Sequence, residues 1–184
     1  MVPRRATTAA ACVFAVASVL VLSGCAKDVE QGVEEPASEG LALTLDGIDY
    51  NVLITRQLNT DIPADDAYYS GPPPNKHETL YGVFIQACNH TDEPQTPTDF
   101  FKVTDNQDNE FRPVTLPLDN PFAYHARELA PDECIPEAGS VAQLGPAAAS
   151  LLLFKLPLTT TENRPLELEI EGTGTEKLTY ELDI

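Results

Sequence analysis

Asp105, Asp108 and Glu110 lie in one short polar stretch, Val103-Thr104-Asp105-Asn106-Gln107-Asp108-Asn109-Glu110-Phe111. Carboxylates so spaced supply the hard oxygen ligands that Ca²⁺ prefers, but the spacing departs from that of an EF-hand loop. The same residues between apolar flanks also describe a β-hairpin connection. They are therefore weak metal candidates, and no metal or other cofactor is expected. His77, His90 and His125 occur in Asn-Lys-His-Glu, Asn-His-Thr and Tyr-His-Ala, polar settings that suit solvated loop histidines. The chain has no Gly-x-Ser-x-Gly elbow, no His-Glu-x-x-His, no phosphate-cradling glycine loop followed by Lys, and no dinucleotide fingerprint. With 29 acidic residues a close carboxylate pair is inevitable and says nothing about acid–base catalysis. The residue types point away from an enzyme.

The first residues carry a different kind of chemistry. Arg4 and Arg5 precede an apolar run, Ala9 to Leu22, of 14 residues in which only Ser18 is polar. That is the layout of a secretory signal, and it falls short of the about 20 residues needed to span a bilayer as a helix. Leu22-Ser23-Gly24-Cys25 follows, and it resembles the lipobox of bacterial lipoproteins. The resemblance implies a diacylglyceryl group on the Cys25 sulfur, cleavage before Cys25, and residence on the extracytoplasmic face of the cell membrane. Two acyl chains hold a protein to a membrane where one binds only reversibly. On that reading residues 1–24 are a signal peptide, 25–40 a lipidated acidic tether and 41–184 a single folded domain. Residues 26–40 hold five acids and little apolar surface, so they are expected to form no packed structure.

Cys12 leaves with the signal and Cys25 is taken by lipid, which leaves Cys88 and Cys134. An even pair in an oxidising compartment is expected to form a structural disulfide. The charge left after cleavage is strongly negative: residues 1–24 hold two Arg and no acid, so the remainder has 29 acids against 9 bases, a net −20. Such a surface repels nucleic acid and anionic lipid headgroups and suits an exported, soluble domain.

The elements that position these residues are strands. Ile48, Tyr50, Val52 and Ile54 alternate with polar neighbours, as do Leu166, Leu168 and Ile170 with Glu167, Glu169 and Glu171. Further short segments at 41–45, 79–88, 98–104, 110–115, 139–144, 149–156 and 176–183 bring the expectation to about nine strands. Sixteen prolines disfavour long helices. The nearly continuous apolar run Ser150–Pro157 reads as a central strand with both faces covered. The predicted fold is all-β, an antiparallel β-sandwich.

One segment exceeds structural need. Arg56 to His77 separates two firm strands and contains Tyr68, Tyr69 and Pro72-Pro73-Pro74. Connections that long are usually functional or disordered, and stiff prolines beside paired tyrosines make it the candidate recognition loop. The alternative is that the tyrosines fold back over a sheet.

Tyr81-Gly82-Val83-Phe84-Ile85-Gln86-Ala87-Cys88-Asn89-His90-Thr91, then Phe101-Lys102-Val103-Thr104-Asp105, the turn to Glu110-Phe111 and a later Ala138-Gly139-Ser140-Val141-Ala142 strand resemble immunoglobulin-like domains of actinobacterial and other Gram-positive lipoproteins. These are similar in layout to a small secreted immunogenic antigen of mycobacteria. The resemblance covers about residues 41–171 and implies an immunoglobulin-like sandwich without catalytic residues. The expected role is a non-catalytic binding module for an envelope or extracellular protein or a glycan. A structural or accessory lipoprotein is the alternative, with a cation-binding protein or enzyme more remote.

Overall fold

The computed structural model describes residues 30–63 and 65–184. Cys25, the signal and residues 26–29 of the tether lie outside the described residues. The chain forms two five-stranded sheets that close on each other as a β-sandwich. The strands are β1 (Ala37–Ser38), β2 (Ala42–Leu45), β3 (Ile48–Leu58), β4 (Glu78–Asn89), β5 (Phe101–Thr104), β6 (Glu110–Phe111), β7 (Cys134–Ile135), β8 (Ser150–Pro157), β9 (Glu167–Glu171) and β10 (Lys177–Glu181). The first sheet runs β1-β10-β9-β5-β6. The second runs β2-β3-β4, and the far edge of β4 is shared by β8 over Glu78–Ile85 and β7 over Ala87–Cys88. All pairings are antiparallel except β1 with β10.

Alternation fixes the inner faces. Ile48, Tyr50 and Val52 of β3 meet Leu168 and Ile170 of β9 and Tyr180 of β10 in one buried cluster, while Glu167, Glu169 and Glu171 face out. Asp46 and Gly47 both have positive φ, 50° and 78°, which gives the β2–β3 hairpin the twist its strands require. The Asp46 carboxylate accepts hydrogen bonds from Thr173 N and Oγ1 at 2.6 and 3.0 Å, tying this turn to the β9–β10 turn of the other sheet.

Several sequence expectations change. The domain does not start at Leu41: Ala37 is fully buried, β1 pairs with β10, and Gly32 O accepts from Thr179 N. The acidic composition of 26–40 hid the small buried Ala37. A register shift between Val52 and Ile54 breaks the alternation of β3, so Ile54 lies opposite Phe84 on the outer face and is 43 % exposed instead of entering the core. The expected strand at 139–144 is a single helical turn, α1 (Val141–Leu144). Ser140 caps it by accepting from Gln143 N, and the Gln143 side chain reaches back to Gly139 N. The 110–115 strand stops at Phe111, because Pro113 cannot donate and Val114 N instead donates to Leu153 O of β8.

β8 is covered on both faces as expected, but it is not central. Its free edge is closed by loop backbone: Leu151 N donates to Phe122 O, Tyr124 N to Leu151 O and Val114 N to Leu153 O. The loops 59–77 and 112–124 thus form a third layer over the outer face of the second sheet. Beneath them lies a second apolar cluster that includes Leu58, Leu80, Phe84, Leu151 and Leu153. The predicted disulfide is present. Cys88 of β4 and Cys134 of β7 are register partners with Cα atoms 4.1 Å apart.

Candidate functional site

Tyr68 is 4 % exposed, which matches the alternative in which it folds back over the sheet. Its ring stands edge-on to Phe84 at 5.3 Å and to Phe122 at 4.7 Å, and Asn120 Nδ2 donates to its carbonyl. The Arg56 guanidinium lies over both Tyr68 and Phe84 and donates to Asp65 at 2.7 Å. Asp65 also accepts from Asn59 N, which clamps the start of the loop to β3. Burial pushes the Asp65 carboxyl up, but the hydrogen bonds from Arg56 and Asn59 outweigh it and hold it below the usual range. Tyr69 is half-buried and packs on the same cluster, Pro74 is half-buried, and Pro72 and Pro73 are exposed. The loop is a lid on the second sheet because that sheet is apolar on both faces and needs one.

The acidic hairpin is organised around Asp105. That residue is 4 % exposed, and its Oδ1 accepts from Gln107 N, Asn109 N and Asn109 Nδ2 while Oδ2 accepts from Asn109 Nδ2 and Asn163 Nδ2. Burial pushes its pKa up, and these donors more than reverse that, leaving it below the usual carboxylate range. Glu110 is 2.8 Å from Lys102, which also meets Glu169 at 2.8 Å on the outer face of the first sheet. Glu110, then Glu169, holds the Lys102 ammonium above its ordinary value. Asp108 is exposed at φ 60°. Two of the three carboxylates are thus already engaged in turn formation and ion pairing. Asp105→Ala is expected to destabilise the domain by about 1–3 kcal/mol in urea unfolding, from orphaned turn amides. Millimolar Ca²⁺ should leave the melting temperature unchanged; a Ca²⁺-dependent rise abolished by the same substitution would revive the metal site.

The histidines diverge. His77 and His90 are exposed, with His90 Nε2 3.8 Å from Asp49. His125 is half-buried and lines a groove of about 500 Å³ at the junction of the two sheets. The strap 112–116 and the segment 122–125 bond to different points on the edge of β8, and the space left between them and Asp99–Phe101 is this groove. Leu151, Leu152 and Leu153 lie along it, and Phe101 and Tyr124 meet edge-on beside it at 5.1 Å. His125 Nε2 is buried without a hydrogen-bond partner, a condition that costs about 1–3 kcal/mol unless something pairs with it. At the rim Phe100 is 60 % exposed. Arg112 donates to Phe101 O and lies 3.4 Å from Glu171.

Buried tyrosines hold this rim. Tyr50 Oη accepts from Thr98 N at 2.7 Å and Tyr124 Oη donates to Thr98 O at 2.9 Å, so residue 98 is fixed from both sides just before Phe100. Tyr180 Oη in turn reaches the carbonyls of Tyr50 and Leu41. Burial favours the neutral phenols and raises all three, with Tyr50 pushed up to about 12. A folded-state value above the unfolded one contributes stability that is whole below pH ~10 and lost as pH rises. Tyr50 alone should therefore withdraw about 3 kcal/mol between pH ~10 and ~12. Urea unfolding across that window should show the decline, and a flat profile would contradict the buried network.

Asp99, Phe100 and Arg112 were not singled out by sequence. The Phe100-Phe101 doublet did carry a signal, because in an extended segment two adjacent aromatics cannot both face the core. Among the described residues no helix is long and apolar enough to cross a membrane.

No family model matches this chain, and no curated protein matches it significantly. Solved structures do resemble it. An uncharacterised β-sandwich protein from Clostridium difficile is similar at 11 % identity over 84 % of this chain and 99 % of that one, with a TM-score of 0.50. The yjhA protein of Bacillus subtilis is similar at 9 % identity over 80 % of this chain and 99 % of that one, TM-score 0.48. A candidate lipoprotein of Bacillus subtilis, ycdA, is similar at 12 % identity over 77 % of this chain, TM-score 0.48; the match spans 38 % of ycdA.

Proposed function

We propose that this chain is an extracytoplasmic lipoprotein, anchored to the cell membrane through lipid on Cys25, whose sandwich is a non-catalytic binding module. We extend this to kinship with the immunoglobulin-like domains of actinobacterial and other Gram-positive lipoproteins. The anchoring rests on Arg4, Arg5, the apolar run and Leu22-Ser23-Gly24-Cys25. The observation that carries the binding role is the groove. It is concave, apolar-walled and of ligand size, with His125 among its lining residues. A structural role in the envelope is the second reading, supported by the burial of Tyr68, which serves the packing of the long loop on the sheet.

Palmitate labelling of the full chain in a Gram-positive host tests the anchor. The intact chain should incorporate label and partition with membranes, and Cys25→Ser should do neither. Equal membrane retention without label would remove the lipoprotein reading.

A further inference from the structure

The chain enters the sandwich at one lateral edge, and the groove opens at the other. Gly32 is buried at φ 86°, and its carbonyl accepts from Thr179 N of β10 at 2.8 Å. A Cβ on Gly32 would collide with Leu43 of β2 and touch Leu178 of β10. Gly32 and β1 thus bond to the same side of β10 and wedge against β2, so β1 and β2 end their two sheets on the same side. The groove is built on the far side, from Phe101 of β5, the leucines of β8 and the strap whose Val114 N donates to Leu153 O. Across the second sheet that strap stands four backbone spacings from β2, about 19 Å.

Only residues 26–29 separate Cys25 from Glu30. Whatever path they take, a lipid anchor on Cys25 lies within about 18 Å of Glu30. Glu30 itself is fixed in the turn before Ala37, where its carbonyl accepts from Val33 N and Glu34 N. A leash no longer than the width of the sandwich holds the β1–β2 edge beside the bilayer. It cannot pass around the domain to lay the opposite edge on the lipid. Exposed Glu34 and Glu35 keep the near edge hydrated at the headgroups and out of the acyl chains.

We infer that the β1–β2 edge faces the membrane and that the groove opens away from it, taking its ligand from the extracytoplasmic space and not from the bilayer. The inference rests on the proposed anchor at Cys25 and gives that binding module its orientation and the source of its ligand.

Energy transfer on vesicles tests this. The lipidated full chain carries a donor dye on one added cysteine, Val33→Cys on the near edge or Thr115→Cys on the groove wall, both exposed positions. It is added to preformed phosphatidylcholine vesicles with a short-range acceptor on their headgroups. Transfer should be several-fold stronger from position 33 than from position 115. Inserting about 20 flexible Gly and Ser residues between Val29 and Glu30 should lower transfer at position 33 and narrow the gap, because the longer leash frees the domain to turn. Equal transfer from the two positions, stronger transfer from position 115, or no change with the longer leash would overturn the orientation while the anchor stands. A chain that fails to float with the vesicles would remove the anchor, and the orientation with it.

Discussion

Tyr68→Ala is expected to destabilise the domain by about 3–5 kcal/mol, the range for truncating a buried aromatic. Tyr68 fills the space between Phe84 of β4 and Phe122 of the covering loop, and Leu116, Leu151 and Leu153 belong to the same cluster. Removing the ring leaves a cavity that the sheet cannot collapse into, since Gly82 already lets Leu151 pack against bare backbone: a Cβ there would lie 2.8 Å from Leu151 Cδ1. The loss also strips the Arg56 guanidinium of one of its two aromatic faces and leaves the Asp65 pair less covered. Tyr68→Phe should cost under ~1 kcal/mol, because packing and not the hydroxyl is what the lid supplies. Denaturant unfolding of the two variants checks both statements. A near-neutral Tyr68→Ala would return this residue to the surface and restore the long loop as a recognition element.

Loss of the disulfide should have an effect of similar size. Cys88 and Cys134 are 46 residues apart in sequence, and releasing a loop of that length costs about 4 kcal/mol in the chain-entropy account. The link also does local work. β7 pairs with β4 at two positions, Ala87↔Ile135 and Cys88↔Cys134, and Asn89 extends the contact by bonding Glu133 O and Asp132 N, so the disulfide reinforces the point where the 112–133 segment is anchored to the sheet. That segment supplies the covering layer over Phe84 and the strap beside the groove. The Cys88→Ala, Cys134→Ala double variant should therefore melt lower and expose the 112–133 backbone to proteolysis before global unfolding. Cleavage no earlier than in the parent would mean the loop layer holds itself.

How much of this was legible depended on whether the information was local. The β9 pattern of Leu166, Leu168 and Ile170 against three glutamates gave the strand and its inner face directly, because period-two alternation is a property of neighbours. The hairpin from Val103 to Phe111 was readable for the same reason: its Asx chemistry lies within the turn. The bulge at Leu53 was not readable, since a one-residue shift is set by how β4 packs and not by β3 itself. The helical turn at Val141–Leu144 was missed because a four-residue apolar pattern suits either period, and the Ser140 cap decides it only once the backbone is seen. Burial of Tyr68 was one of two open readings, and only the second apolar face of β4 and β8 decides between them. The groove was the least legible feature. It is assembled from residues 99–101, 112–116, 124–125 and 151–153, four segments whose proximity follows from the crossing of the 112–124 strap between sheets. His125 carried no mark in its Tyr-His-Ala setting of its place in the groove lining.

The proposed binding role depends above all on that groove accepting an apolar ligand. The direct measurement is a fluorescence titration of the domain from Glu30 onward with the neutral dye phenylnaphthylamine. It should be run alongside Thr115→Trp, a bulky substitution at an exposed position on the groove wall. A saturable rise at one dye per chain, lost in Thr115→Trp with its melting temperature unchanged, is the predicted result. A rise that never saturates, or one that survives the blocked groove undiminished, would contradict the assignment of this groove as the binding site.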